Sequence, residues 1–182
     1  LHVTYFYMNN VSGPTADQRV RKAILMSVKR EDLVAAAYPY GGGSEACLPL
    51  PKAAGVMTPR SRRSCLRMTP RRQGLMAEAG YADGCSLTYY TSSTTTGVDV
   101  GTIVQQQLKE NLNIDMEIQT LDWGAFSEIT AAGECDIFAM SWTWYPDPYF
   151  FLNNLLQLRQ PGLPGNGAGF SHPESTSCSS RP

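Results

Sequence analysis

Histidine is almost missing from this chain of 182 residues: only His2 and His172 occur. Neither stands in a telling relation to a Ser or Cys, and no carboxylate dyad stands out, so nucleophilic or acid–base catalysis has little support. Five cysteines are present (Cys47, Cys65, Cys85, Cys135, Cys178), but no Cys-x-x-Cys pair. That spacing speaks against a zinc site or a thioredoxin-like centre, and the odd number against a full disulfide framework. An excess of one charge is missing as well: Lys and Arg total 15 against 16 Asp and Glu, a net charge of −1. A nucleic-acid partner would call for a basic stripe. Apolar runs fall well short of the roughly 18 residues of a membrane span. Gly41-Gly42-Gly43 is not followed by Gly-Lys-Ser/Thr, so it is no phosphate loop. Ala46 stands where a Gly-x-Ser-x-Gly nucleophile elbow needs its second glycine. No initiator Met and no secretory signal open the chain; Leu1–Asn10 reads as a strand, and an excised piece of a longer protein is expected.

What the chain does have is a run of aromatics around one acid: Ser141-Trp142-Thr143-Trp144-Tyr145-Pro146-Asp147-Pro148-Tyr149. Proline fixes its own φ and biases the preceding residue to extended backbone, so Asp147 sits in a stiff, non-helical segment. A carboxylate beside aromatic faces suits an amine-bearing or cationic ligand. The plainer alternative is that the aromatics belong to a core and Pro-Asp-Pro is a turn.

Periodicity elsewhere is good. Val20, Ala23, Ile24 and Val28, then Leu33, Val34 and Ala37, mark one or two amphipathic helices, with Thr15 or Asp17 as N-cap and a break at Tyr38–Ser44. A short helix over 73–79 ends at Gly80. Ser86–Thr91 is a strand and Val98–Leu112 a helix. Ile114, Met116 and Ile118 alternate with Asp115, Glu117 and Gln119 in a half-buried strand. Trp123–Ala132 is a helix closed by Gly133, and Asp136–Trp142 an apolar strand whose first residue, Asp136, reads simply as its start. This alternation predicts a mostly parallel α/β sheet with right-handed crossovers. Ligands of such sheets gather at the carboxyl ends of the strands. Two segments fall there: Ser92–Gly97, which contains Ser93 and Thr94, and the Trp142–Pro148 run.

Four segments carry a family resemblance. Asp17-x-Arg19-Val20-Arg21-x-Ala23-Ile24 with Val28-Lys29-Arg30-Glu31 is similar to the helix signature of extracellular solute-binding proteins of the peptide/nickel class, which serve ABC importers. Leu75–Gly84, Val104–Ile114 and Trp142–Leu152 resemble three further signatures, in family order and with family spacing. The resemblance implies a two-lobed binding protein that closes on peptides, or in some members on nickel complexes, haem or sugars. It also implies that this chain is a C-terminal portion: a periplasmic-binding-protein-like lobe, incomplete, with the N-terminal lobe missing. Residues 1–140 are then most of one α/β lobe, and 141–182 a truncated crossover towards the other lobe. Without that lobe, apolar surface around Trp142–Leu156 is expected to be exposed and the isolated chain to associate. Expected partners are a peptide or related solute and the permease subunits. No cofactor, metal or nucleic acid is expected, membrane contact comes only through the permease or a lipid anchor, and the location is periplasmic or extracellular. The alternatives from other classes are the ligand-sensing domain of a regulator, or a small hydrolase.

The resemblance also implies site residues. Asp147 resembles the acid that many members aim at a peptide's α-ammonium, with Trp142, Trp144 and Tyr145 as walls. The segment is one residue shorter than the usual spacing, and some members place the acid where this chain has Trp144. Ser92–Gly97 occupies the place where some small-peptide receptors present an arginine; here it offers only hydroxyls and glycine, Ser93 and Thr94 among them. A second departure is the cluster Arg60, Arg62, Arg63, Arg67, Arg71 and Arg72, where the family carries a Tyr-Asp-Pro helix start. Codons allowed for Leu66–Gln73, read one base earlier, can spell Pro-Ala-Tyr-Asp-Pro-Ala. Those of Ser175–Pro182 can likewise spell a family-like tail. Stretches 60–73 and 175–182 are therefore expected to be frameshifted; otherwise the cluster reads as a basic patch or a solvated loop.

Overall fold

The computed structural model describes residues 2–46, 70–143, 147, 149, 152–153 and 166–171. Strand β1 (His2–Met8) leads through a short 3-10 turn (Pro14–Ala16) into helix α1 (Gln18–Ser27) and helix α2 (Arg30–Ala37). Of the two N-cap candidates, Asp17 caps α1, accepting the Arg19 N–H at 2.7 Å. Thr15 instead lies buried in the 3-10 turn. Helix α3 (Arg71–Glu78) follows. It closes as the sequence predicts, with Gly80 at φ 88° and the Tyr81 N–H reaching back to the Met76 carbonyl at 2.9 Å. Then come β2 (Ser86–Ser92), α4 (Thr95–Leu112), β3 (Asp115–Leu121), α5 (Trp123–Ala132) and β4 (Ile137–Thr143). Gly133, at φ 72°, ends α5.

The sheet order is β1-β4-β2-β3. Strands β2, β3 and β4 run parallel, as the alternation predicts. Strand β1 departs from that pattern. It pairs antiparallel with β4, from His2 opposite Thr143 to Met8 opposite Ile137. An edge partner that far away in sequence has no local signal, because its direction is set by the chain's entry route and not by its own residues. Two boundaries also move. Helix α4 starts at Thr95, so the expected Ser92–Gly97 loop shrinks to Ser93 and Thr94. Strand β4 runs to Thr143, one residue past the expected Trp142.

Apolar residues cover both faces of the sheet. On one face Leu87, Tyr89, Met116 and Ile137 pack against Val20 and Ile24 of α1, Leu75 and Met76 of α3, and Val104 and Leu108 of α4. On the other face Val3, Tyr7, Phe138 and Met140 pack against Phe126 of α5. The crossovers therefore split. The β2–β3 connection uses α4 on the first face. The β3–β4 connection passes back over β2 with α5 on the second. A fixed crossover hand demands this when the direction of travel reverses.

The exit of β1 and the entry of β4 are locked together by polar groups. The buried Asn9 side chain donates to the carbonyls of Gly133 (3.0 Å) and Cys135 (3.3 Å) and accepts the N–H groups of Val11 (2.9 Å) and Ser12 (3.1 Å). The Asp136 carboxylate accepts the Thr88 N–H at 2.9 Å, tying β4 to β2 beyond its simple place at the strand start. No helix among the described residues is long and apolar enough to cross a membrane.

Candidate functional site

Strands β2, β3 and β4 are parallel, so their carboxyl ends (Ser92, Leu121, Thr143) share one edge of the sheet. The connection leaving β2 turns to the α4 face and that leaving β3 turns to the α5 face. Such a reversal opens a crevice between the two loops, the usual place for a ligand on an α/β sheet. One wall of this crevice is Ser93-Thr94. The other is Asp122-Trp123.

The Ser93 N–H extends the ladder by donating to the Leu121 carbonyl at 3.1 Å. Ser93 and Thr94 are both exposed, and Thr94 occupies the N-cap position of α4 without using its hydroxyl as a cap. Two hydroxyls are thus presented at the crevice lip. Gly97 keeps α4 close behind them; a Cβ there would stand 2.2 Å from the Thr91 Oγ1. Across the crevice, Asp122 caps α5 by accepting the Ala125 N–H at 3.1 Å. Its carboxylate is thereby engaged, and the next side chain, Trp123, is left 62% exposed. An indole that open is an adhesive surface at a strand's carboxyl end. Sequence reasoning treated Trp123 only as a helix start. The signal that finds it is the one that found Ser93 and Thr94: its place immediately after an apolar parallel strand.

Trp142 lies one residue before the end of β4, half-buried, on the face shared with α5. Its Nε1–H donates to the Tyr7 hydroxyl at 2.7 Å. Tyr7 stacks flat on Phe138, with ring centroids 4.5 Å apart and planes within 2°. Burial pushes the Tyr7 phenol well above its ordinary pKa, and the bond from Trp142 opposes the shift only in part. Burial also raises that of Tyr5, followed by the effect of Tyr7 beside it. Both phenols are therefore neutral at physiological pH, and that of Tyr7 acts as an acceptor.

Asp147 is exposed, and its Oδ1 accepts the Tyr149 N–H at 2.9 Å. That bond is the turn-forming role of the plainer sequence reading. Trp144, Tyr145 and the remainder of the expected aromatic wall lie outside the described residues, as do most of 60–73 and all of 175–182. Residues 70–73, the described end of the first stretch, open α3; Arg72 there donates to the Asn111 Oδ1 at 2.9 Å. Ser93, Thr94 and Trp142 thus share one edge of the sheet. Among the described residues no cluster of His, Cys, Asp and Glu could hold a metal ion.

A concavity of about 720 Å³ lies at the opposite end of the sheet, lined among others by Ser86, Leu87, Gln105, Lys109, Asp115 and Met116. It is a shallow groove between α4 and β3. Gln105 is committed to the Met116 carbonyl at 2.6 Å and Lys109 to Asp115 at 2.8 Å. These internal bonds leave it little to offer a ligand, and the topological crevice carries the better case.

Comparison with known proteins agrees with this architecture. The chain is 28% identical over 180 residues to the periplasmic murein peptide-binding protein MppA of Escherichia coli, covering 93% of this chain and 32% of the relative. It is 26% identical over 169 residues to the periplasmic oligopeptide-binding protein OppA of Salmonella typhimurium, covering 84% of this chain and 30% of that protein. Among solved structures, HbpA2 of Haemophilus parasuis superposes with a TM-score of 0.86 at 23% identity, over 96% of this chain and 35% of the other. The ABC transporter-associated periplasmic binding protein DppA of Helicobacter pylori, in complex with the peptide STSA, superposes at 0.78 and 20% identity, over 95% and 34%. At those identities the superpositions speak for the fold alone. The chain spans about a third of the length of the relatives it matches. The model of the bacterial extracellular solute-binding proteins, family 5 middle region, matches residues 1–161, and the chain belongs to that family.

Proposed function

We propose that this chain supplies one ligand-facing lobe of the solute-binding component of an ABC importer, and that the solute is a peptide. The observation that carries the reading is the reversal of the parallel sheet at its carboxyl edge. Ser93, Thr94 and Trp123 flank the reversal of a parallel sheet at its carboxyl edge, with Trp142 on the neighbouring strand. Hydroxyls and indoles in that arrangement suit a peptide, whose amides need hydrogen bonds and whose side chains need apolar surface. The relatives named as peptide-binding proteins support the choice of solute. Residues 1–140, with the rest of β4, form the body of the lobe, and 141–182 the passage towards the second lobe. Asp147 takes the peptide's ammonium, with Trp144 and Tyr145 beside it. The work is done in the periplasm or outside the cell, next to the permease subunits, and involves capture and release without catalysis. Stretches 60–73 and 175–182 are frameshifted. Peptide mass mapping checks that last point: recovery of Ser61–Arg67 as encoded refutes it.

The direct test is calorimetric titration of the full gene product with a panel of di- to pentapeptides. Binding at micromolar or tighter Kd without turnover of the peptide is the expected result. No binding across the panel, or cleavage of any member, overturns the reading.

A further inference from the structure

Trp142 is a candidate ligand-facing aromatic whose ring is held by a hydrogen bond from its indole N–H to another side chain. The geometry points to Tyr7 as a positioning residue for it, an inference that rests on the peptide-binding reading above. Strand β1 is an edge strand running antiparallel to β4, with Tyr7 opposite Phe138 and Val3 opposite Trp142. From that register the Tyr7 phenol extends along the sheet, and its oxygen meets the Trp142 indole N–H at 2.7 Å. Tyr7 is itself held. It is 7% exposed and lies flat on Phe138, which meets Phe126 of α5 edge-on with centroids 6.2 Å apart. The rings thus form a relay from the buried face of α5 to the rim of the crevice.

The chemistry of this contact is specific. An indole has one donor and no acceptor, and a neutral phenol oxygen at 2.7 Å takes that donor at one angle. The bond selects one orientation for a half-buried side chain at the end of a strand. A wall held in its bound orientation before the ligand arrives spares the ordering cost otherwise met on binding. Tyr7 acts on affinity without touching the peptide, and Phe at this position would keep the stack while losing the positioning.

The experiment is run on the full gene product with the tripeptide Ala-Phe-Ala as probe. It compares Tyr7→Phe with Trp142→Ala and follows the indole N–H resonances of Trp-labelled protein. Expected results are a loss of affinity for Trp142→Ala and a threefold to tenfold loss for Tyr7→Phe, the span of a net hydrogen bond. The Trp142 N–H resonance of the folded protein should also move in Tyr7→Phe, a change that loss of overall stability alone does not produce. If Trp142→Ala weakens binding and Tyr7→Phe does not, the positioning role is overturned and the site stands. If Trp142→Ala changes nothing, Trp142 leaves the site and both fall. Should Tyr7→Phe fold poorly, Phe138→Leu loosens the ring beneath Tyr7 and keeps its hydroxyl. A smaller, about twofold loss with the same resonance shift is then expected, and unchanged affinity overturns the inference.

Discussion

Asp147 has one carboxylate and two candidate duties. One oxygen takes the Tyr149 N–H at 2.9 Å, and the group is exposed, so its second oxygen is open to a ligand ammonium. The two duties predict different chemistry. A turn acid matters equally to every ligand; an ammonium anchor matters only to a peptide with a free N-terminus. Breaking a pair that closure has desolvated costs roughly 3–5 kcal/mol, and a partly wet one less. Asp147→Asn is expected to weaken a free peptide at least about tenfold, or about 1.4 kcal/mol, and to leave its N-acetylated form nearly unchanged. Titrating both peptides checks this, and equal losses reduce Asp147 to its turn. Cys135 makes a separate test. Burial first, then Asp136 and Glu134, push its thiol from an ordinary value of 9 up to about 12. A folded pKa above the unfolded one gives stability that is complete below about pH 9 and is lost as pH climbs towards 12. Native Cys135 is therefore expected to resist iodoacetamide at pH 8 and to react once urea unfolds the chain. Peptide mapping reads both, and rapid native labelling contradicts the burial argument. The places of Ser93, Thr94 and Trp142 at strand ends were legible in the sequence, because an apolar run announces where a strand ends. Tyr7 was not: its role depends on a neighbour 135 positions away in the chain.

At the scale of elements, caps and alternation did most of the sequence's work. Asp17, Gly80 and Gly133 each end or begin a helix where their side chain or positive φ predicts. The start of α4 was misplaced because Thr95 and Thr96 are weak helix formers. Their helix is nevertheless held, with Gly101 letting it lie against the sheet: a Cβ there would stand 2.7 Å from the Tyr89 ring. Gly84, between α3 and β2, is the tightest such place. It has φ 95°, and a Cβ would stand 2.0 Å from the Asn113 carbonyl oxygen. Neither the backbone angle nor the space accepts a side chain, and the opposing atom is main chain that cannot rotate away. Gly84→Ala is expected to cost at least about 2 kcal/mol, more than the strained angle alone, because the α4–β3 turn must also move. Urea unfolding measures it, and a change under about 0.5 kcal/mol would mean that the turn yields freely. Asn9→Ala, by the same measurement, is expected to cost about 1–3 kcal/mol by stranding the carbonyls and N–H groups it now satisfies.

For the molecule as a whole, strand direction and order decide what the crevice can bind. A β-α-β-α-β pattern is compatible with a sheet laid down in sequence order or with one that doubles back, and only the second opens a crevice between Ser93-Thr94 and Asp122-Trp123. The strand-helix alternation pointed to the carboxyl edge of the sheet as the candidate site, but the reversal that exposes Trp123 is a property of the assembled sheet. At that edge the residues following β2 and β3 are Ser93, Thr94, Asp122 and Trp123, with no Lys or Arg among them. A peptide's C-terminal carboxylate laid here would meet hydroxyl donors, weaker partners than a bidentate guanidinium, and a nearby carboxylate at Asp122 that repels it. Strong demand for a free C-terminus is therefore not expected from this lobe, and longer peptides that carry their carboxylate out of the crevice fit better than dipeptides. Calorimetry on the full gene product with a tetrapeptide and its C-terminal amide decides the matter. The two are expected to bind within about threefold of each other, under about 0.7 kcal/mol. A loss of a hundredfold or more on amidation would require a cation aimed at the carboxylate, which the described crevice does not provide, and the binding mode would then have to be anchored from the opposite lobe.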